Sequence, residues 1–147
     1  MRDPFHLVGP FPLLFGTTPF LPTFETPIVA GFPSPAEDYL MKELDLNDYL
    51  LKPRESTFGF YVKGESMAEA NIHTGDLVVV NTETERRMGQ IVVAAINGEW
   101  AVKTLGQIEG KPFLLSQNPD FQPIAIKEFD DFQIFGVVKG FVHKFKE

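Results

Sequence analysis

The sequence predicts a mainly β domain preceded by an extended N-terminal arm and carrying one short helix. Short apolar, β-branched runs recur from Phe58 to Phe145, and Asn97-Gly98 sits between two of them as a hairpin signal. Residues 1–30 follow neither the helical nor the alternating period. A chain of 147 residues fits one ordinary domain with a tail, so the division expected is an arm over 1–30 and a folded body over 31–147.

The arm holds half of the chain's prolines and five of its 15 phenylalanines (Phe5, Phe11, Phe15, Phe20 and Phe24). Prolines stop it from forming a helix, while its rings are unusual for a solvated tail, so it should gain order by docking. Pro4 to Phe24 lacks charge, yet five prolines oppose a membrane span or signal peptide, since each removes a backbone donor. A cytoplasmic protein is expected. After Gly31-Phe32-Pro33, Ser34 can cap a helix, Pro35 suits its first position, and Glu37 and Asp38 favour the positive end of its dipole. Ala36, Tyr39, Leu40 and Leu44 recur at helical spacing, predicting an amphipathic helix over 35–44, with Asp45 to Leu51 as a further helical turn or irregular chain.

Strands follow. Phe58, Phe60 and Val62 alternate; Leu77–Val80 and Ile91–Ile96 are short β-branched runs; Phe132–Phe145 is rich in Phe and Val. Asn97-Gly98 between Ile91–Ile96 and Trp100–Leu105 predicts a type I′ turn, which needs positive φ at both central residues.

Composition narrows the function. A net charge of -7 opposes binding to phosphate backbones, so no direct sequence-specific DNA binding is expected. With no Cys there is neither a disulfide nor a thiolate, and His6, His73 and His143 lack metal-ligand spacing. No metal or cofactor is expected.

Two places carry chemistry. Lys103 lies on the predicted strand after Asn97-Gly98 among apolar neighbours; burial there would disfavour its ammonium and let it accept a proton, or the side chain could snorkel to water. Gly64-Glu65-Ser66-Met67 follows a predicted strand, where a serine can present its hydroxyl and backbone N–H together, as an acyl-transfer nucleophile must, or simply occupy a turn.

Ala30-Gly31, Gly64-Glu65-Ser66-Met67, Thr74-Gly75-Asp76-Leu77 and Ala101-Val102-Lys103 occur in the order seen in the self-cleaving serine peptidases of the LexA/UmuD/phage-repressor family, which this chain resembles. Ala30 to Ala36, Asp45-Leu46-Asn47, Gly89 to Val92 and Phe135 to Val138 resemble its UmuD branch, and the likeness spans about residues 29–142. The resemblance implies a LexA-like fold of twisted antiparallel sheets. It also implies a Ser66/Lys103 dyad, an oxyanion site at the Glu65 and Ser66 backbone N–H groups, and a scissile Ala30-Gly31 bond. Small residues there let an extended backbone approach a nucleophile closely. Further implications are a homodimer, stimulation by a RecA nucleoprotein filament during the SOS response to DNA damage, and partnership of the trimmed form with a UmuC-like DNA polymerase, as in the translesion polymerase V. The alternatives are a LexA-like or phage-type repressor lacking its DNA-binding domain, or a noncatalytic polymerase-binding dimer. Many relatives carry Gly where this chain has Asn71; Asn tolerates the left-handed conformation, so the loop should keep its geometry.

Overall fold

The computed structural model describes residues 20–25, 27–32, 41–127 and 131–146. It comprises two compact units, residues 1–49 and 50–147. In the first, strands β1 (Leu21–Phe24) and β2 (Met41–Leu44) pair antiparallel, with Leu21 opposite Leu44 and Phe24 opposite Met41. An exposed Lys42–Glu25 ion pair of 3.3 Å adds little to this ribbon.

Residues 41–44 are therefore strand rather than the end of the helix expected over 35–44; the rest of that expectation lies outside the described residues. A helix of that length is marginal on its own, and the ladder to β1 satisfies the same backbone groups. Helix α1 (Leu46–Leu51) falls in the stretch read as a helical turn. Asp45 starts it, its Oδ1 accepting the Asn47 N–H at 2.9 Å.

In the second unit β3 (Thr57–Tyr61), β4 (Leu77–Asn81), β5 (Ile91–Ile96), β6 (Glu99–Ile108), β7 (Lys111–Leu115), β8 (Ile124–Ala125) and β9 (Phe132–Val142) form one antiparallel sheet. Its strand order is β3-β4-β9-β5-β6-β7-β8. The strands fall on the runs read from the sequence, and Asn97 (φ 50°) and Gly98 (φ 83°) make the turn between β5 and β6 with positive φ at both positions.

The sheet has a core on each face. Val93 packs with Met67, Ile72, Val78 and Val80, whereas its neighbour Val92 packs with Ala94, Leu105, Leu114 and Val137. Burial on both faces explains why β5 reads as a continuous apolar run, each buried Val contributing roughly 1.5–3 kcal/mol. The sheet curls: three strands separate β3 from β6, yet the Phe60 and Trp100 rings are 5.3 Å apart.

A bulge on β9 assists that closure. Val93 faces Gly136 while Ala94 faces Ile134, leaving Phe135 as the extra residue. Its ring packs edge-on against Phe58, Phe60 and Trp100. Gly136 beside it is required by close approach, since a Cβ there would lie 2.6 Å from the Asn81 carbonyl oxygen. This is the mainly β, LexA-like architecture that the resemblance implies.

Candidate active site

The strand end after β3 and the exposed-edge stretch of β6 enclose a cleft of about 330 Å³. Ser66 and Lys103 both line it, with Phe60, Val62, Trp100 and Val102 forming apolar wall. Among the described residues, Lys63 and Lys103 are the charged ones that line it, and no carboxylate does.

Ser66 occupies a turn fixed from both sides. Met67 next to it is 2% exposed and drops into the core, and the Met67 carbonyl accepts the Ala70 and Ile72 N–H groups. On the other side the Glu65 carboxylate accepts bonds from the Thr74 N–H (3.0 Å) and Thr74 hydroxyl (3.0 Å), and meets His73 Nδ1 at 2.7 Å. The His73 contact and these bonds hold the Glu65 carboxyl down at about 2, below its ordinary 4.5. Thr74 Oγ1 also accepts the Gly64 N–H at 2.8 Å. Among the described residues, the Glu65 and Ser66 N–H groups make no hydrogen bond. Asn71 ends the short 3-10 turn Ala68–Ala70 in the left-handed conformation (φ 64°), the geometry expected of it.

Lys103 comes from β6, opposite Val92 of β5. The residue is 9% exposed. Desolvation pushes its ammonium below the ordinary lysine value of 10.5, in the direction of a neutral amine. Its Nζ donates to the Ser116 hydroxyl at 2.8 Å and lies 5.6 Å from the Phe121 ring centroid. No hydrogen bond joins it to Ser66 among the described residues.

Sequence reading missed the segment that joins these two parts. Ser116 meets Lys103; Gln117 donates to Thr104 Oγ1 at 3.0 Å and its carbonyl accepts the Glu69 N–H at 2.8 Å; Asn118 donates to the Glu65 carbonyl at 2.8 Å. Three consecutive residues thus tie the serine turn to the lysine strand. Their only sequence signal is position, just past the Lys111–Leu115 strand that pairs with β6.

Ala30 and Gly31 belong to the first unit, in exposed, bent chain between β1 and β2. Ile28 and Phe32 beside them are 94% and 92% exposed, and Gly31 has open space around its Cα. Among the described residues, no three His, Asp or Glu side chains could share a metal ion, and no helix is long and apolar enough to cross a membrane.

Comparison with known proteins adds a lineage to this geometry. Residues 22–139 match the family described as Peptidase S24-like. Protein SamA of Salmonella typhimurium is 43% identical over 123 residues, covering 84% of this chain and 85% of the relative. Protein MucA of Escherichia coli is 38% identical, covering 80% and 81% respectively. The LexA repressor of Bordetella parapertussis is 37% identical over 86% of this chain and 60% of its own length.

Proposed function

The chain belongs to the Peptidase S24-like family, and we propose that it is a self-cleaving serine peptidase of the SOS response that cuts its own Ala30-Gly31 bond with Ser66 and Lys103. The observation that carries this reading is the shared cleft: a serine on a rigid turn and a desolvated lysine line the same cavity. Lys103, as the neutral amine, takes the proton of the Ser66 hydroxyl while Ser66 Oγ bonds to the Ala30 carbonyl carbon. The Glu65 and Ser66 N–H groups receive the negative charge that develops on the carbonyl oxygen. Collapse of the tetrahedral species breaks the bond to Gly31, whose nitrogen takes the proton back from Lys103. Water, deprotonated by the same amine, then releases the acylated arm. Ser-Lys chemistry of this kind needs neither His nor Asp.

The apolar wall of Phe60, Val62, Trp100 and Val102 suits Ile28 and Val29, the residues that precede the scissile bond. The exposure of residues 28–32 suits a substrate segment, which has to enter a cleft in extended form.

Likeness to SamA, ImpA and MucA supports an SOS mutagenesis role. On that reading the protein is a cytoplasmic homodimer whose cleavage is stimulated by a RecA nucleoprotein filament, and the trimmed form serves a UmuC-like polymerase in translesion synthesis. Incubation of the full chain with RecA assembled on single-stranded DNA tests this. Wild type should yield a fragment ending at Ala30, whereas Ser66→Ala and Lys103→Ala chains should stay intact. A wild-type chain left whole, or a Ser66→Ala chain cut at the same bond, would overturn the reading and leave a noncatalytic role.

A further inference from the structure

We propose that Ser116 is a positioning residue for the Lys103 amine, fixing the direction in which its lone pair points. This rests on the proposed role of Lys103 as general base. β6 and β7 pair with Thr104 opposite Leu115, and one further step of that register sets Lys103 opposite Ser116. There the Lys103 Nζ donates to Ser116 Oγ at 2.8 Å. Ser116 follows β7 and precedes Gln117 and Asn118, whose bonds to Thr104, Glu69 and the Glu65 carbonyl hold the segment at both the lysine strand and the serine turn. The hydroxyl is therefore presented from fixed backbone.

The chemistry gives this bond a purpose. A neutral primary amine has two N–H donors and one lone pair on a freely rotating carbon–nitrogen bond. Only rotamers that aim the lone pair at the Ser66 hydroxyl are productive. An acceptor fixed at one N–H removes rotational freedom and lets the lone pair face the cleft, where Ser66 lies. Among the described residues nothing at the cleft offers a substitute: Phe121 presents a ring to Nζ, Lys63 of the cleft lining is itself a cation, and no carboxylate lines the cleft. Because Ser116 Oγ accepts, it stabilises the ammonium somewhat more than the amine, so its loss should lower the lysine's proton affinity while disordering its aim. The two effects separate in an experiment.

Self-cleavage is followed across the alkaline range for the wild-type chain and its Ser116→Ala, Ser116→Thr and Ser66→Ala variants, with thermal unfolding of each. For Ser116→Ala the plateau rate at high pH, where the amine is already neutral, should fall roughly two- to tenfold, the size expected from losing one hydrogen bond. Its unfolding temperature should stay near wild type, and Ser116→Thr, which keeps the hydroxyl, should recover most of the rate. A wild-type plateau in Ser116→Ala, with Ser66→Ala inactive, overturns the role of Ser116 alone. Cleavage by Ser66→Ala, or none by wild type, overturns the dyad itself. A second readout needs no cleavage: NMR titration of the Lys103 amine in an uncut Ser66→Ala background. Adding Ser116→Ala should move that titration to lower pH, and an unchanged titration contradicts the proposal.

Discussion

The serine turn owes its shape to single residues with short-range jobs. Asn71 holds φ at 64°, where a β-branched side chain would crowd its own backbone. Asn71→Gly should leave stability nearly unchanged, whereas Asn71→Val should lose about 1–2 kcal/mol in urea unfolding; equal stability of the two would show that the loop tolerates any residue. Glu65 acts through its carboxylate, held at about 2 in the folded chain against an ordinary 4.5. Its folded value is depressed, so its stabilising bonds to Thr74 and His73 are complete above pH 4.5 and fade as pH falls through about 2. The unfolding temperature of wild type should therefore exceed that of Glu65→Gln at pH 6, and the gap should close toward pH 2. A gap constant with pH would assign the effect to shape rather than charge. Asn71 and the Gly64-to-Met67 turn were legible in the sequence because their signals are local. Ser116, Gln117 and Asn118 were not, since Asn118 meets the Glu65 carbonyl across 53 residues and no pattern in the chain announces that meeting.

At the scale of elements, the β9 bulge is where sheet geometry and cleft geometry meet. The extra residue Phe135 shifts the register to β5 and locally disrupts the ladder. Arg86 braces this place: Nη2 donates to the Ile134 and Phe135 carbonyls at 3.2 and 3.3 Å, while Nη1 donates to the Thr82 and Thr84 carbonyls at 2.9 and 2.8 Å. One guanidinium thus joins the chain after β4 to the strand whose Phe135 packs against the cleft-lining rings of Phe60 and Trp100. Arg86→Ala should cost about 2–3 kcal/mol, the loss of charge-assisted bonds together with unpaired carbonyls; Arg86→Lys, lacking the fork, should recover less than half. Denaturant titration measures both, and a neutral Arg86→Ala would remove the residue from this account. The strands themselves could be read from β-branched runs and the Asn97-Gly98 turn. Residues 41–44 read as the end of a helix because Leu44 fits helical spacing, and their pairing with Leu21–Phe24 depends on chain some twenty residues earlier.

At the scale of the whole molecule, every strand of the seven-stranded sheet among the described residues comes from residues 50–147. Cutting at Ala30-Gly31 should accordingly leave the unfolding temperature of the body within about 2 °C of the uncut chain; a large fall would mean that the arm is part of its stability. Among the described residues, the arm meets 41–44 through the four-residue ladder between β1 and β2 and the exposed Lys42–Glu25 pair, and an isolated two-stranded ribbon is marginal in water. Gel filtration should then separate the 1–30 fragment from the body, freeing the Met41–Leu44 edge, whereas co-elution would show the fragment to be held by more than that ladder. All of this depends on the chemistry of one desolvated lysine. Its ammonium is disfavoured by burial, so the fraction of neutral amine should climb with pH through a midpoint below the ordinary 10.5. The most direct measurement is the mass of the purified chain, without any partner, sampled over time from pH 7 to 11. The account predicts a fragment ending at Ala30 whose rate of appearance rises with pH through a midpoint below the ordinary lysine value. No fragment at any pH, or a fragment whose rate ignores pH, would contradict it.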